Sequence, residues 1–134
     1  MKVVVDCNVL ISAGINNKGT CRQLISEVAR NHEVFLSHEI LDEYLRTIAK
    51  PHLSRHREKL HVVMELILRE ATFIRPISCL FRLPDPDDEI YLATALTVKA
   101  DVLVTGNKKH FPLPRYGDVL ILRPREFLDS IKSL

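Results

Sequence analysis

The side chains in this sequence best suited to chemistry are carboxylates. Asp85, Asp87 and Asp88 crowd into the segment LPDPDDEIYLATAL, with Glu89 directly behind them. Far upstream, the apolar run Val3-Val4-Val5 ends in Asp6, followed by Cys7 and Asn8. A second apolar run, Val102 to Val104, ends in Thr105-Gly106-Asn107. Carboxylates held near one another raise each other's pKa and destabilise a fold unless a proton or cation intervenes. A hard divalent cation resolves that conflict, because magnesium and manganese prefer oxygen ligands and use few carboxylates beside water and phosphate oxygens. Such ions activate water for in-line attack on a phosphodiester, and a pair of them about 4 Å apart also stabilises the leaving oxygen. The chemistry to expect is phosphodiester hydrolysis, provided the acids converge.

Each of these residues also has a purely structural reading. Asp6 can cap the turn between a strand and a helix, and Asn8 can cap the helix or hold Asp6 in place. The acids from Asp85 to Glu89 occupy the first turn of a helix, where the helix dipole favours them. Asp88, however, lies four residues before Leu92, seven before Ala95 and eight before Leu96. It therefore opens the buried face of that helix, whereas Asp87 points to solvent. Glu43 flanks the apolar stripe of an earlier helix, but so does Asp42, and periodicity does not choose between them. Thr105 is placed to hydrogen-bond a carboxylate. Asn107 is either a neutral ligand or a turn residue after Gly106. Lys108, Lys109 and His110 follow closely enough to meet flanking phosphates, or else form a solvated loop; Arg22 and Arg82 are weaker candidates. Phosphate contacts of this kind position a strand without reading its sequence.

Other chemistries find little support. No GxSxG, P-loop glycine pattern or CxxC occurs, and the cysteines are three in number, Cys7, Cys21 and Cys79. That argues against a disulfide framework or zinc ribbon and for a reducing compartment. His52 and His56 are spaced for a shared ligand only if a helix has begun at His52, and Pro51 and Ser54 argue that it has not. The composition, 46% hydrophobic and 27% charged, is that of a folded protein. A net charge of +2 permits nucleic acid without requiring it. No apolar run approaches a membrane span and no secretory pattern precedes the first strand. The expectation is a cytoplasmic protein with no membrane association.

The elements that must position these residues alternate. Strands are expected at 2–6, Glu33–Leu36, Phe73–Ile77, Val102–Thr105 and Val119–Leu122, the third at a sheet edge because Pro76 cannot donate to a ladder. Helices are expected from Asn8 to about Gly14, from Cys21 to Arg30, from a Ser37 cap to about Ala49, over Ser54–Ala71, from an Asp85 cap with Pro86 at the first helical position to near Ala100, and from Pro124 to about Lys132. Such alternation signals a parallel sheet with helices on both faces. Residues 1–134 read as a single domain. In an open sheet of this kind, ligands bind beyond the carboxyl ends of the strands, which is where Asp6 and Thr105 stand.

The ordered set Asp6-Cys7-Asn8, Glu43, Asp88 seven before Ala95, and Thr105-Gly106-Asn107 resembles the motifs of the PIN domain family, over essentially the whole chain. The likeness is greatest to the branch of VapC-related toxin components of toxin–antitoxin systems. It implies a three-layer α/β/α sandwich with a central, mainly parallel sheet, here of four or five strands. It implies a Mg2+- or Mn2+-dependent endoribonuclease acting through metal-activated water. By position, Asp6, Glu43 and Asp88 would be the catalytic metal ligands, supported by Asn8, Thr105 and Asn107, with Lys108 and Lys109 on the nucleic acid. The resemblance selects Glu43 over Asp42, where periodicity could not, and Asp88 over Asp87 as the ligand. It also implies an RNA substrate, a cognate antitoxin and a homodimer. The fourth family position is commonly aspartate, and here it is Asn107. The departure removes a charge, weakens the case for a second ion and keeps open an alternative, a catalytically weak or inactive PIN-like module that binds RNA or a partner. A phosphohydrolase of the haloacid-dehalogenase type also begins with an acid after its first strand. That chemistry needs an Asp-x-Asp pair, and Asn8 breaks it.

Overall fold

A computed structural model describes residues 1–132. Its centre is a six-stranded sheet in the order β3-β2-β1-β4-β6-β5. β1 is Lys2–Val5, β2 Glu33–Leu36, β3 Thr72–Phe73, β4 Val102–Val104, β5 Arg115–Tyr116 and β6 Val119–Leu122. All neighbouring pairs are parallel except β5 with β6. Val3, Val4 and Val5 are all fully buried, as are their β4 neighbours Leu103 and Val104. Successive strand residues point to opposite faces, so both faces of the sheet centre are covered. That is why these strands read as continuous apolar runs instead of alternating ones.

The helices are α1, Cys7–Ile15; α2, Thr20–Asn31; α3, His38–Ile48; α4, Arg57–Glu70; α5, Glu89–Val98; and α6, Pro124–Lys132. α1, α2 and α4 pack on one another, α6 packs on α2, and α5 lies across β1, β2 and β4. Ser37 caps α3 by accepting from the Ile40 backbone N–H at 3.2 Å, as its position predicts. Asp85 caps the turn before α5, accepting from the Asp87 N–H at 3.0 Å. The first turn behind it, Pro86–Asp88, is wound as a 3-10 helix. Lys99 ends α5 in the left-handed region, at φ 55°.

The alternating α/β architecture agrees with the sequence reading, with three differences of extent. The sheet has six strands and not four or five, because Arg115–Tyr116 folds back antiparallel on β6 through a turn at Gly117, φ 58°. The third strand is confined to Thr72–Phe73 instead of running to Ile77. It does lie at an edge, and past it the Ile77 N–H bonds the Thr97 side chain. The expected Ser54–Ala71 helix opens as a separate 3-10 stretch, Pro51–His56, before α4 begins. Among the described residues, no helix is long and apolar enough to cross a membrane.

Candidate active site

The site begins where β1 and β4 end side by side. The Asp6 N–H donates to the Val104 carbonyl at 2.9 Å, which brings Asp6 alongside Thr105. The Thr105 hydroxyl then donates to Asp6 Oδ2 at 2.9 Å and accepts from the Asn107 N–H at 3.1 Å. Asn8 spans both strand ends. Its Oδ1 accepts from the Gly106 N–H at 2.9 Å, and its Nδ2 lies 3.4 Å from Asp6 Oδ2. A Cβ at Gly106 would stand 3.3 Å from that Asn8 oxygen, so glycine is what permits the close approach. Two of the three supporting residues, Asn8 and Thr105, therefore converge on one carboxylate. Asn107 joins them through its backbone.

α3 supplies Glu43. Beside it on the helix, the fully buried Tyr44 donates its hydroxyl to the Val5 carbonyl, tying α3 to the strand end that carries Asp6. Glu43 itself accepts a hydrogen bond from the hydroxyl of Tyr91 on α5. Asp42 is exposed. Asp88 is buried to 8% exposure, whereas Asp87 is exposed. Asp88 Oδ2 lies 2.9 Å from His110 Nδ1. The two are within ion-pair distance, yet no hydrogen-bond donor is aligned on this buried oxygen among the described residues.

Glu43 bears electrostatically on both Asp6 and Asp88. Burial pushes the Asp6 carboxyl up to about 6, and the Thr105 hydrogen bond only partly offsets it, while Asp88 and Glu43 push it further up. Burial likewise raises Asp88 to about 6; His110 opposes this, and Asp85 and Glu43 add to it. Beside these groups opens a cleft of about 330 Å³ lined by Glu39, Asp42, Glu43, Arg46, Asp87 and Ile90, among others. Among the described residues, no group of three His, Cys, Asp or Glu side chains is arranged to enclose an ion. The donor set nonetheless suits a hard divalent cation. It is all oxygen, it is mutually repulsive, and it includes an Asp88 oxygen with no aligned donor. Magnesium commonly takes one or two carboxylates and fills its remaining positions with water and phosphate.

The basic candidates separate. Lys108 is bound to Glu126 of α6 at 3.1 Å, and Lys109 is exposed without a side-chain partner among the described residues. Arg22 bonds Ser26 on its own helix. Arg82 is almost fully exposed, 3.8 Å from Glu89. Sequence reasoning passed over Tyr44 and Tyr91. The available signal for Tyr91 was its place one turn after Asp88, a side chain with a polar tip in an otherwise apolar helix.

A model of the PIN domain matches residues 2–109. The chain belongs to the PIN domain family. Two solved structures share its fold at low identity. VapBC2 from Rickettsia felis, bound to a DNA fragment from its promoter, is 19% identical, with a TM-score of 0.64 and coverage of 92% of this chain and 98% of that one. VapBC-1 from nontypeable Haemophilus influenzae is 22% identical, with a TM-score of 0.61 and coverage of 93% and 99%. No curated protein matches the sequence.

Proposed function

We propose that this protein is a Mg2+- or Mn2+-dependent endoribonuclease and the toxin of a toxin–antitoxin pair. The observation that carries the nuclease reading is Asp6 at the end of β1, fixed by Thr105 from the end of β4, with the charges of Glu43 and Asp88 raising its carboxyl. Asp6, Glu43 and Asp88 would hold the cation. The chemistry such a cation supplies when bound is Lewis-acid activation of water and neutralisation of charge on the scissile phosphodiester. The chain's own residues do the positioning. Thr105 and Asn8 fix Asp6, Tyr91 fixes Glu43, and Lys109 is exposed to meet a neighbouring phosphate. Membership of the PIN family and the fold shared with the VapBC structures support the toxin reading, and with it a cognate antitoxin.

One observation favours a second reading. Asn107 stands where the family commonly has an acid, and no three acidic or imidazole side chains enclose an ion among the described residues. A weakly active or inactive module that binds RNA or a partner would have such a site. Cleavage of a mixed RNA pool with Mg2+ or Mn2+, and with EDTA, separates the two. Metal-dependent cutting that is lost in folded Asp6→Ala and Asp88→Ala variants is the expected result. Binding of RNA without cleavage under either metal favours the module, and Asn107→Asp then becomes the informative variant.

A further inference from the structure

From Tyr44 to Arg57 the chain contains no Asp or Glu, yet it carries Arg46, Lys50, Arg55 and Arg57. This stretch leads out of the acidic cleft. On a helix, residues three, four and seven apart share a face, so Glu43, Arg46, Thr47 and Lys50 follow one another along α3. Arg46 lines the cleft beside Glu39, Asp42 and Glu43. Lys50 follows just past the helix end, where its N–H still bonds the Thr47 carbonyl at 3.1 Å, about 10 Å along the axis from Glu43. The row also borders the residue after Asp6. Burial pushes the Cys7 thiol up to about 11, opposed by a hydrogen bond with Thr47 and by the Lys50 charge. Beyond Lys50, the buried Leu53 pins the 3-10 stretch Pro51–His56. Arg57 turns back on the end of α3, donating to the Ile48 carbonyl at 3.1 Å and the Lys50 carbonyl at 2.9 Å. Arg57 is thus engaged in the fold. Arg46, Lys50 and Arg55 are exposed, and their side chains have no hydrogen-bond or ion-pair partner among the described residues.

Unpaired cations in a row repel one another and attract a polyanion. A nucleic-acid strand suits a row that starts at an acidic centre and runs away from it, because each nucleotide beyond the scissile bond brings another phosphate. We propose that Arg46, Lys50 and Arg55 form a track that grips the phosphate backbone of single-stranded RNA where it leaves the acidic centre. α3 follows β2 and Lys109 follows β4, on opposite sides of β1 in the sheet. A strand crossing Asp6 is then held on both sides. The three bases position the strand and take no part in the chemistry. The proposal rests on the nuclease reading for the identity of the strand, and it needs no bound cation.

The test is binding of a fluorescein-labelled single-stranded oligouridylate, followed by anisotropy across a salt series in EDTA, where the RNA stays intact. Wild-type protein is compared with a variant carrying Arg46→Gln, Lys50→Gln and Arg55→Gln. A control of equal charge carries Arg30→Gln, Lys99→Gln and Lys132→Gln, exposed positions at or just past the C-terminal ends of α2, α5 and α6. Each phosphate contact on a single strand contributes about 0.7 to the slope of log affinity against log salt. Loss of the track should therefore lower that slope by about 2, while the control keeps the wild-type slope. Equal losses in the two variants, or no binding by the wild-type protein, overturn the proposal. Displacement of the RNA by polyglutamate of equal charge at the same concentration also overturns it, and assigns the surface to an acidic protein. A second measurement uses only wild-type protein: bound oligouridylate should protect Lys50 but not Lys99 from acetylation by acetic anhydride, read by mass spectrometry. Equal labelling of the two with RNA bound overturns the track. Cleavage assays separate this proposal from the reading beneath it. Track-dependent binding without metal-dependent cutting supports the track and overturns the nuclease. Cutting with an unchanged KM in the track variant overturns the track and leaves the nuclease standing.

Discussion

At the scale of single residues, Asp6 carries an electrostatic cost that can be measured. Its folded pKa is raised to about 6 from 3.8. A carboxyl raised in the folded state binds its proton more tightly there than in the unfolded chain. The destabilisation is therefore fully present above about pH 6, shrinks as pH falls, and vanishes below the unfolded value. A shift of that size corresponds to at most about 3 kcal/mol. In EDTA, urea unfolding should show Asp6→Asn to be more stable than wild type at pH 7.5, with the difference closing towards pH 4. A variant no more stable at pH 7.5 would contradict the assignment of Asp6 as a buried, repelled charge. Thr105 tests the opposite effect. Thr105→Val keeps the shape and removes the hydroxyl that donates to Asp6 and accepts from Asn107. It should lower stability at neutral pH by about 1–3 kcal/mol, the usual cost of leaving a buried polar group unsatisfied.

At the scale of elements, the site depends on how α1, α3 and α4 are seated. Gly14 lies where α1 crosses α4, and a Cβ there would stand 2.3 Å from Leu60 Cδ2 and 3.1 Å from the Leu60 Cα. The side chain can swing away, but the backbone cannot without parting the helices. Gly14→Ala should therefore destabilise by about 1–3 kcal/mol through overpacking, despite alanine's better helix propensity. Thermal unfolding checks this, and a stabilised variant would show that α4 yields freely. α3 was readable from sequence in type, stripe and cap, because all three depend on neighbours within a turn or two. β5 was not. Two residues bounded by proline and glycine carry no measurable alternation, and Arg115–Tyr116 becomes a strand only because β6 offers it an edge.

At the scale of the whole molecule, the candidate ligands come from segments far apart in the chain, the end of β1, α3 and the turn before α5, and a bound cation should be felt as global stability. A ligand that binds only the folded state stabilises it by about 2.7 kcal/mol at a hundredfold excess over its dissociation constant. Saturating Mn2+ should thus raise the thermal midpoint of the wild-type protein measurably, and EDTA should reverse it. Asp88→Asn should show a much smaller rise. An equal rise in that variant would place the ion elsewhere.

Residue order alone expresses the alternation of strands and helices, the burial of β1 and β4, the exposure of Asp87 and the inward face of Asp88. These follow from local periodicity and from the stereochemistry of caps, which a short window of residues expresses in full. It also presented Asp6 and Thr105 as strand-end residues. The folded chain is what makes β1 and β4 neighbours, so that Thr105 reaches Asp6. Only it distinguished Glu43 from Asp42 physically, through the Tyr91 hydroxyl, and set His110 beside Asp88. Those contacts join residues far apart in the chain. They are fixed by strand order and helix packing, which depend on how all the apolar surfaces are buried together and leave no local mark at either partner.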